Sequence, residues 1–497
     1  MERSAGILMP IASLPSKYGI GTLGKSAYKF VDFLESAGQR FWQVLPIGQT
    51  GYGDSPYQSF SSFAGNPYFV DLEELMEEGL LKEEDLKSIN WGKEKDHIDY
   101  GKIYENRIHV LKLACKKGLA KNEGAFYRFL EQNQRWLTEY ALFMSLKEHF
   151  GMVSWTQWPD EAIKRHEPGS CNYYKDMLRE DIQAYQYMQF LFFKQWDKLR
   201  EYAHKKNIQI IGDLPIYVAM DSCDVWSERQ WFQITENNEP AVVAGCPPDA
   251  FTKDGQLWGN PIYDWWRLKE DGYGFWIRRL DGTLRFYDVL RLDHFRGFES
   301  YWEIPYGEKT ARNGRWVQGP GMDFLRPVLG WFSGKQFIAE DLGYVTPQVE
   351  QLLKESGLPG MKVLQFAFDS REGADYLPYT YQSHSLCYVG THDNATAMEW
   401  LEEGNSKDVK EAMAYLDFDP KGEESFAWAM LRMGMGSVSD LFIAPMQDYL
   451  ELGKEARMNV PGTIEGNWIW RMKASDMTVS LAKKIKNLTL CYGRIWE

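Results

Sequence analysis

Three acidic residues stand where short apolar runs end: Asp293 in VLRLDHFRG (289–297), Glu340 in FIAEDLG (337–343) and Asp393 in VGTHDN (389–394). Two converging carboxylates can act as nucleophile and general acid in glycosyl transfer. The nucleophile must stay ionised. Arg291, two residues before Asp293, lies on the same side of a strand and supplies positive charge. The acid must keep its proton near neutrality, and neighbouring carboxylates raise Glu340 in that direction. Asp393 is suited to steadying positive charge on a sugar or gripping two hydroxyls. His294 and His392 adjoin two of the acids and can donate hydrogen bonds to sugar oxygens. A lone Asp after a strand usually caps a turn; three at separate strand ends, each beside Arg or His, argue for a site. The histidines sit directly beside the acids rather than at helical ligand spacing, so the cluster does not read as a metal centre. No acidic loop suggests calcium, and no cofactor is implied.

Positioning these groups takes strands. Eight near-continuously apolar runs read as parallel strands covered on both faces: 6–14, 40–47, 208–218, 284–295, 335–342, 361–368, 385–391 and 440–447. Helical patterns lie between them. Residues 26–37 carry an apolar stripe that stops at Gly38, and Thr346-Pro347 opens a helix that Gly357 ends. The expected fold is an α/β chain, a (β/α)₈ TIM barrel, with Asp293, Glu340 and Asp393 on strands four, five and seven. A plain barrel needs about 250 residues. The surplus falls after strand two, as a mainly helical insertion over 76–206, and after strand three, over 221–279. Both leave the C-terminal face, where barrel active sites form. A single barrel over 1–497 carrying these two subdomains is the expected organisation. Only about 50 residues follow the last strand, too few for a C-terminal β-sandwich of about 100.

Composition narrows the partners. The 497 residues carry 56 Lys and Arg against 70 Asp and Glu, a net charge of −14. That argues against nucleic acid and against anionic lipid. No run of 18 apolar residues predicts a membrane span, and the N-terminus lacks the basic region of a signal peptide. Six scattered Cys, without a CxxC pair, read as reduced thiols in the cytoplasm. Aromatic residues make up 15% of the chain, more flat faces than a core alone needs, so some can line a site.

The trio RLDHF, AED and THD resembles the motifs of the α-amylase superfamily. Five longer segments are more specific: MPIASLPSKYGIGTLG (9–24), QVLPIGQTGYGDSPYQSFSSFAGNPY (43–68), GDLPIYV (212–218), GCPPDAFTKDGQLWGNPIY (245–263) and NVPGTIEGNWIWR (459–471). They are similar to 4-α-glucanotransferases of the amylomaltase (disproportionating enzyme) type, glycoside hydrolase family 77, over essentially the whole chain except about 80–180. The resemblance implies Asp293 as nucleophile, Glu340 as acid/base and Asp393 as the group that stabilises the transition state. It also implies that Arg291, Asp213, His294 and His392 surround the donor sugar. Tyr52, Asp54, Ser55 and Tyr57 match a loop on the acceptor side. Trp258 matches a mobile loop over the site, and Asn459 and Pro461 a second loop near the donor. Cys246 departs from the aliphatic residue expected there, which touches loop packing only.

The expected activity is transfer of α-1,4-glucan segments between maltooligosaccharides, amylose or glycogen-derived glucans and glucose, by retaining double displacement. Two alternatives stand beside it. A hydrolase would use the same three acids. A glucan-binding protein without catalysis would be expected to have lost one of them, and all three are present.

Overall fold

The computed structural model describes residues 2–51, 53–248, 252–369 and 376–495. Tyr52 lies outside the described residues. Eight strands form one all-parallel sheet: β1 (Ser4–Leu8), β2 (Phe41–Gln43), β3 (Gln209–Leu214), β6 (Val289–Leu292), β9 (Gln336–Ala339), β10 (Gly360–Val363), β11 (Ser385–Tyr388) and β12 (Leu441–Pro445). Their spatial order is β10-β11-β12-β1-β2-β3-β6-β9, sequential around a barrel. Most are buried along their whole length, as apolar strands covered on both faces must be. One seam differs. Between β9 and β10 the Ala339 N–H reaches the Pro359 carbonyl at 3.0 Å. Beside it, the Met361 N–H donates not to backbone but to the buried Asp341 carboxylate, at 2.6 Å. Gly360 stands at this joint; a Cβ there would meet the Asp341 carboxylate at 2.6 Å.

All eight expected strands are present, but shorter than the apolar runs. The run 284–295 contains the end of a helix (Gly274–Leu284), a loop bearing the buried Phe286 and Tyr287, and only then β6. The run 361–368 turns into a 3₁₀ helix after Val363. Burial of apolar side chains does not require extended backbone, so hydrophobicity overstated the strands. Helix ends are better marked. The Thr346 hydroxyl accepts from the Val349 N–H, Pro347 follows, and Gly357 closes the helix with φ 68°.

Between β2 and β3 the chain is helical, with long helices at Tyr100–Lys121, Glu123–His149 and Arg179–Lys205. Phe, Tyr and Trp side chains knit them together: Phe129 and Phe126 meet Phe190 edge-on, and Phe193 stacks on Phe286 of the barrel shell.

A second sheet did not show in the apolar runs. β4 (Val242–Cys246), β5 (Gln256–Pro261), β7 (Ser300–Pro305) and β8 (Arg315–Gln318) pair antiparallel in the order β5-β4-β7-β8. It joins the segment after the third barrel strand to the segment after the fourth. Val243, Ile304 and Ala311 form its own small core.

Candidate active site

The register of β3 on β6 sets Asp213 directly opposite Arg291. Both are buried. The Arg291 Nη1 donates to both Asp213 oxygens, at 2.8 and 2.7 Å, and to Asp293 Oδ1 at 2.8 Å. Its Nη2 lies 4.0 Å from Glu340 Oε2, and its Nε points at the Met361 sulfur, 3.4 Å away. One guanidinium therefore faces three carboxyl groups from three adjacent strand ends. Burial works against the charge on Arg291, and the carboxylates around it, Asp213 first, hold it on.

The turn after β6 aims the backbone at Glu340. His294 adopts a left-handed conformation, φ 53°, uncommon for a residue with a side chain. This directs the His294 N–H to Glu340 Oε2 at 2.7 Å, and the next amide, Phe295, to the Glu340 carbonyl at 3.0 Å. The Leu342 N–H takes the other oxygen, Oε1, at 2.8 Å. Glu340 is thus fixed in orientation from both sides.

Burial raises the carboxyls of Asp293 and Glu340, and Arg291 opposes it in both; Asp213 and Asp393 raise Asp293 further, while Asp293 raises Glu340 against the pull of the Leu342 and His294 N–H groups. With one cation for three acids, the pair holds a proton jointly. Contact decides its place. Asp293 touches Arg291 and a quarter of its side chain meets solvent; Glu340 stands back from the cation and is nearly enclosed. Contact with the cation and with solvent therefore favours charge on Asp293 over charge on Glu340.

Tyr57 completes the inner ring. Its hydroxyl donates to Asp213 Oδ2 at 2.7 Å and its ring stacks on His392, with centroids 5.1 Å apart. Asp213 is therefore bound by Arg291 and Tyr57 together, which goes beyond capping a turn. His392 Nε2 lies 3.4 Å from Asp393 Oδ1. Burial lowers both histidines; His294 falls to about 3. Both imidazoles are neutral near pH 7, each able to donate one hydrogen bond and accept one.

Asp393 is held differently. Its side chain is 46% exposed. Asn459 donates to its Oδ1 at 2.6 Å. Its charge still reaches Asp293, whose carboxyl it raises.

The remaining expected residues are less central. Asp54 lies in a left-handed turn, φ 58°, where the Tyr104 hydroxyl donates to it at 2.5 Å. Ser55 caps its own turn, accepting from the Tyr57 N–H. Trp258 belongs to strand β5 rather than to a loop, and its ring meets His294 edge-on, with centroids 4.9 Å apart. Pro461 occupies a half-buried turn after Asn459.

Two groups escaped the sequence reading. Arg457 donates through Nη2 to the Asp393 carbonyl, through Nε to the Asn459 carbonyl and through Nη1 to the buried Glu399. It clamps both loops to the helix Ala397–Glu403. Trp468 stands beside Tyr57 and His392. It lies inside the segment NVPGTIEGNWIWR (459–471), and the resemblance of that segment was its only signal.

A barrel whose mouth carries two coupled carboxyls around one arginine is the arrangement of a glycosyl-transferring enzyme. Comparison makes the class specific. The profile of the family described as 4-alpha-glucanotransferase matches residues 9–478. The 4-alpha-glucanotransferase of Clostridium butyricum is 49% identical, over 98% of this chain and 100% of that protein. That of Thermus thermophilus is 45% identical over the full length of both. The solved amylomaltase of Streptococcus agalactiae, in complex with acarbose, superposes with a TM-score of 0.96 at 40% identity, covering both chains fully. The chain belongs to the 4-alpha-glucanotransferase family and is an enzyme of that type.

Proposed function

We propose that the protein transfers α-1,4-glucan segments between maltooligosaccharides, amylose or glycogen-derived chains and glucose by retaining double displacement. Asp293 attacks the anomeric carbon while Glu340 delivers its proton to the departing glycosidic oxygen. A covalent glucosyl ester forms on Asp293. Glu340, now ionised, takes the proton from the 4-hydroxyl of an acceptor glucan, which attacks the anomeric carbon and releases Asp293. Asp393 steadies the positive charge that develops on the ring. Arg291 and Asp213, with Tyr57, set the inner wall of the donor site. His294, His392, Asn459 and Pro461 border the donor sugar. Asp54 and Ser55, on the loop that also carries Tyr57, border the acceptor, and Trp258 lies over the site against His294.

The observation that carries this reading is the split environment of the two carboxyls, with Arg291 in contact with Asp293 and 4.0 Å from Glu340. It supports an ionised Asp293 beside a protonated Glu340, as the first step requires. Transfer prevails over hydrolysis when an acceptor hydroxyl is bound at high effective concentration. The segments 76–206 and 221–279 act as insertion subdomains, the second carrying Trp258 to the site. The six free thiols suit a cytoplasmic enzyme. Among the described residues, no helix is long and apolar enough to cross a membrane.

The test is incubation with maltotriose alone, with products resolved by chain length. Glucose together with a ladder of longer maltooligosaccharides is the expected result. Shorter sugars only would replace transfer by hydrolysis, and no change would favour a binding protein.

A further inference from the structure

Just outside the carboxylates, two aromatic rings face solvent. Trp316, on β8, is 38% exposed, and Tyr344 is 69% exposed. Their rings are nearly parallel, 22° apart in plane, with centroids separated by 6.4 Å. The buried Arg296 braces both. Its guanidinium lies 3.9 Å from the Trp316 ring centre and 5.9 Å from that of Tyr344, and it also donates to the Tyr344 carbonyl. Trp302 meets Trp316 edge-on. An indole held from beneath and from the side is a fixed surface, which loses little freedom when a ligand settles on it.

A cleft of about 430 Å³ is lined in part by Glu299, Gln318, Gln348, Gln351 and Glu355, and Gln318 ties it to the strand that carries Trp316. Trp316 and Gln318 are alternate residues of one strand and share a face. Gln318 donates to the Glu299 carbonyl, and the Ser300 hydroxyl links the Glu299 carboxylate to Arg296. The rings and the cleft are one braced surface. Planar amides and carboxylates beside exposed aromatic faces match the chemistry of a sugar chain, whose rings are apolar on their faces and bear hydroxyls at their edges.

Chain connectivity ties the surface to the strand ends that carry Asp293 and Glu340. Tyr344 lies four residues beyond Glu340, and Arg296 three beyond Asp293. We infer that Trp316 and Tyr344, with the adjoining polar cleft, form an outlying subsite for α-glucan chains long enough to extend past the carboxylates. This inference rests on the glucan-transferring reading of the site.

Initial rates with maltotriose and with amylose, measured for the parent protein and for Trp316→Ala and Tyr344→Ala, test it. The expected result is a KM for amylose raised about tenfold, the size of one aromatic anchor, with kcat and the KM for maltotriose within twofold of the parent. Tyr344, mostly exposed, provides the variant least able to disturb folding. Equal KM values for amylose in parent and both variants would overturn the inference, as would equal losses on both substrates. Absence of maltotriose disproportionation by the parent would instead overturn the catalytic reading on which it rests.

Discussion

Asp293 and Asp393 face the same mouth and are held by opposite means. Asp293 belongs to the barrel. It follows β6 directly, its N–H bonds the Leu214 carbonyl of β3, and its carboxylate is gripped by a buried arginine of the same strand. Asp393 belongs to the loops. It follows β11 by five residues, is half-exposed, and takes its main side-chain bond from Asn459, 66 residues away in sequence. The first is positioned by the sheet and tuned by burial. The second is positioned by whatever keeps two loops together, and it stays wet. A strand end delivers electrostatic control; a loop delivers adjustable placement. An ionised nucleophile beside a protonated acid needs the former, and a group that must follow a changing sugar ring is served by the latter.

The contrast can be broken most severely at the barrel side. Asp293→Asn removes the nucleophile without changing its shape, and activity on maltotriose should fall by about 10⁴-fold or more, read from initial rates. A variant retaining full activity would end the proposed mechanism. Arg291→Gln leaves Asp213 and Asp293 unpaired in a buried setting. Stability should drop by about 3–5 kcal/mol in denaturant titration. The rate–pH profile should also move. Activity requires Asp293 ionised and Glu340 protonated, so it rises as pH passes the first group and falls past the second. Loss of the cation raises both carboxyls, and both limbs should shift alkaline. Limbs that stay in place would separate Arg291 from the tuning of the pair.

The loop side should answer more gently. Asn459→Ala removes one hydrogen bond to a half-solvated carboxylate, so kcat should fall about tenfold, near 1.4 kcal/mol, with the melting temperature unchanged. A loss matching that of Asp293→Asn would erase the distinction drawn here.

A third acid sharpens the comparison with no sugar involved. Asp448 is buried and raised to about 7 by burial, opposed by the Ala397 N–H; its second oxygen has no partner. The folded chain therefore holds a proton that the unfolded chain releases above the ordinary value of 3.8. Its contribution is fully present below about pH 4 and is lost as pH rises through about 7. Asp448→Asn cannot ionise, so it should stabilise the fold by about 4 kcal/mol at pH 8 relative to its effect at pH 4. A pH-independent effect in thermal melts would show that Asp448 ionises freely in the folded chain.

This division also marks what could be read from the sequence. The strands that carry Asp293 and Glu340 announce themselves because parallel strands buried on both faces are apolar throughout, and the acids interrupt them where they end. Arg291 was legible by its spacing of two. Its cross-strand partner, Asp213, was legible only by resemblance, because register is a property of two segments. Arg457 and Tyr104 were not legible: each acts across more than 45 residues of chain, and nothing local distinguishes them from other surface-capable side chains. The β4-β5-β7-β8 sheet was hidden for another reason. In β7 the buried Tyr301 and Glu303 alternate with the half-buried Trp302, β8 is almost wholly exposed, and β4 and β5 flank a Gly- and Pro-rich stretch that resembles loop.

The barrel wall is not uniform in construction. Seven of its joints are ladders of amide to carbonyl, while the one between β9 and β10 is fastened beside a single backbone bond by the carboxylate of Asp341. Asp341 is the immediate neighbour of Glu340. The cylinder thus has a clasp, and the clasp sits next to the proposed acid. The closure of the wall and the placement of Glu340 therefore depend on the same two residues of chain.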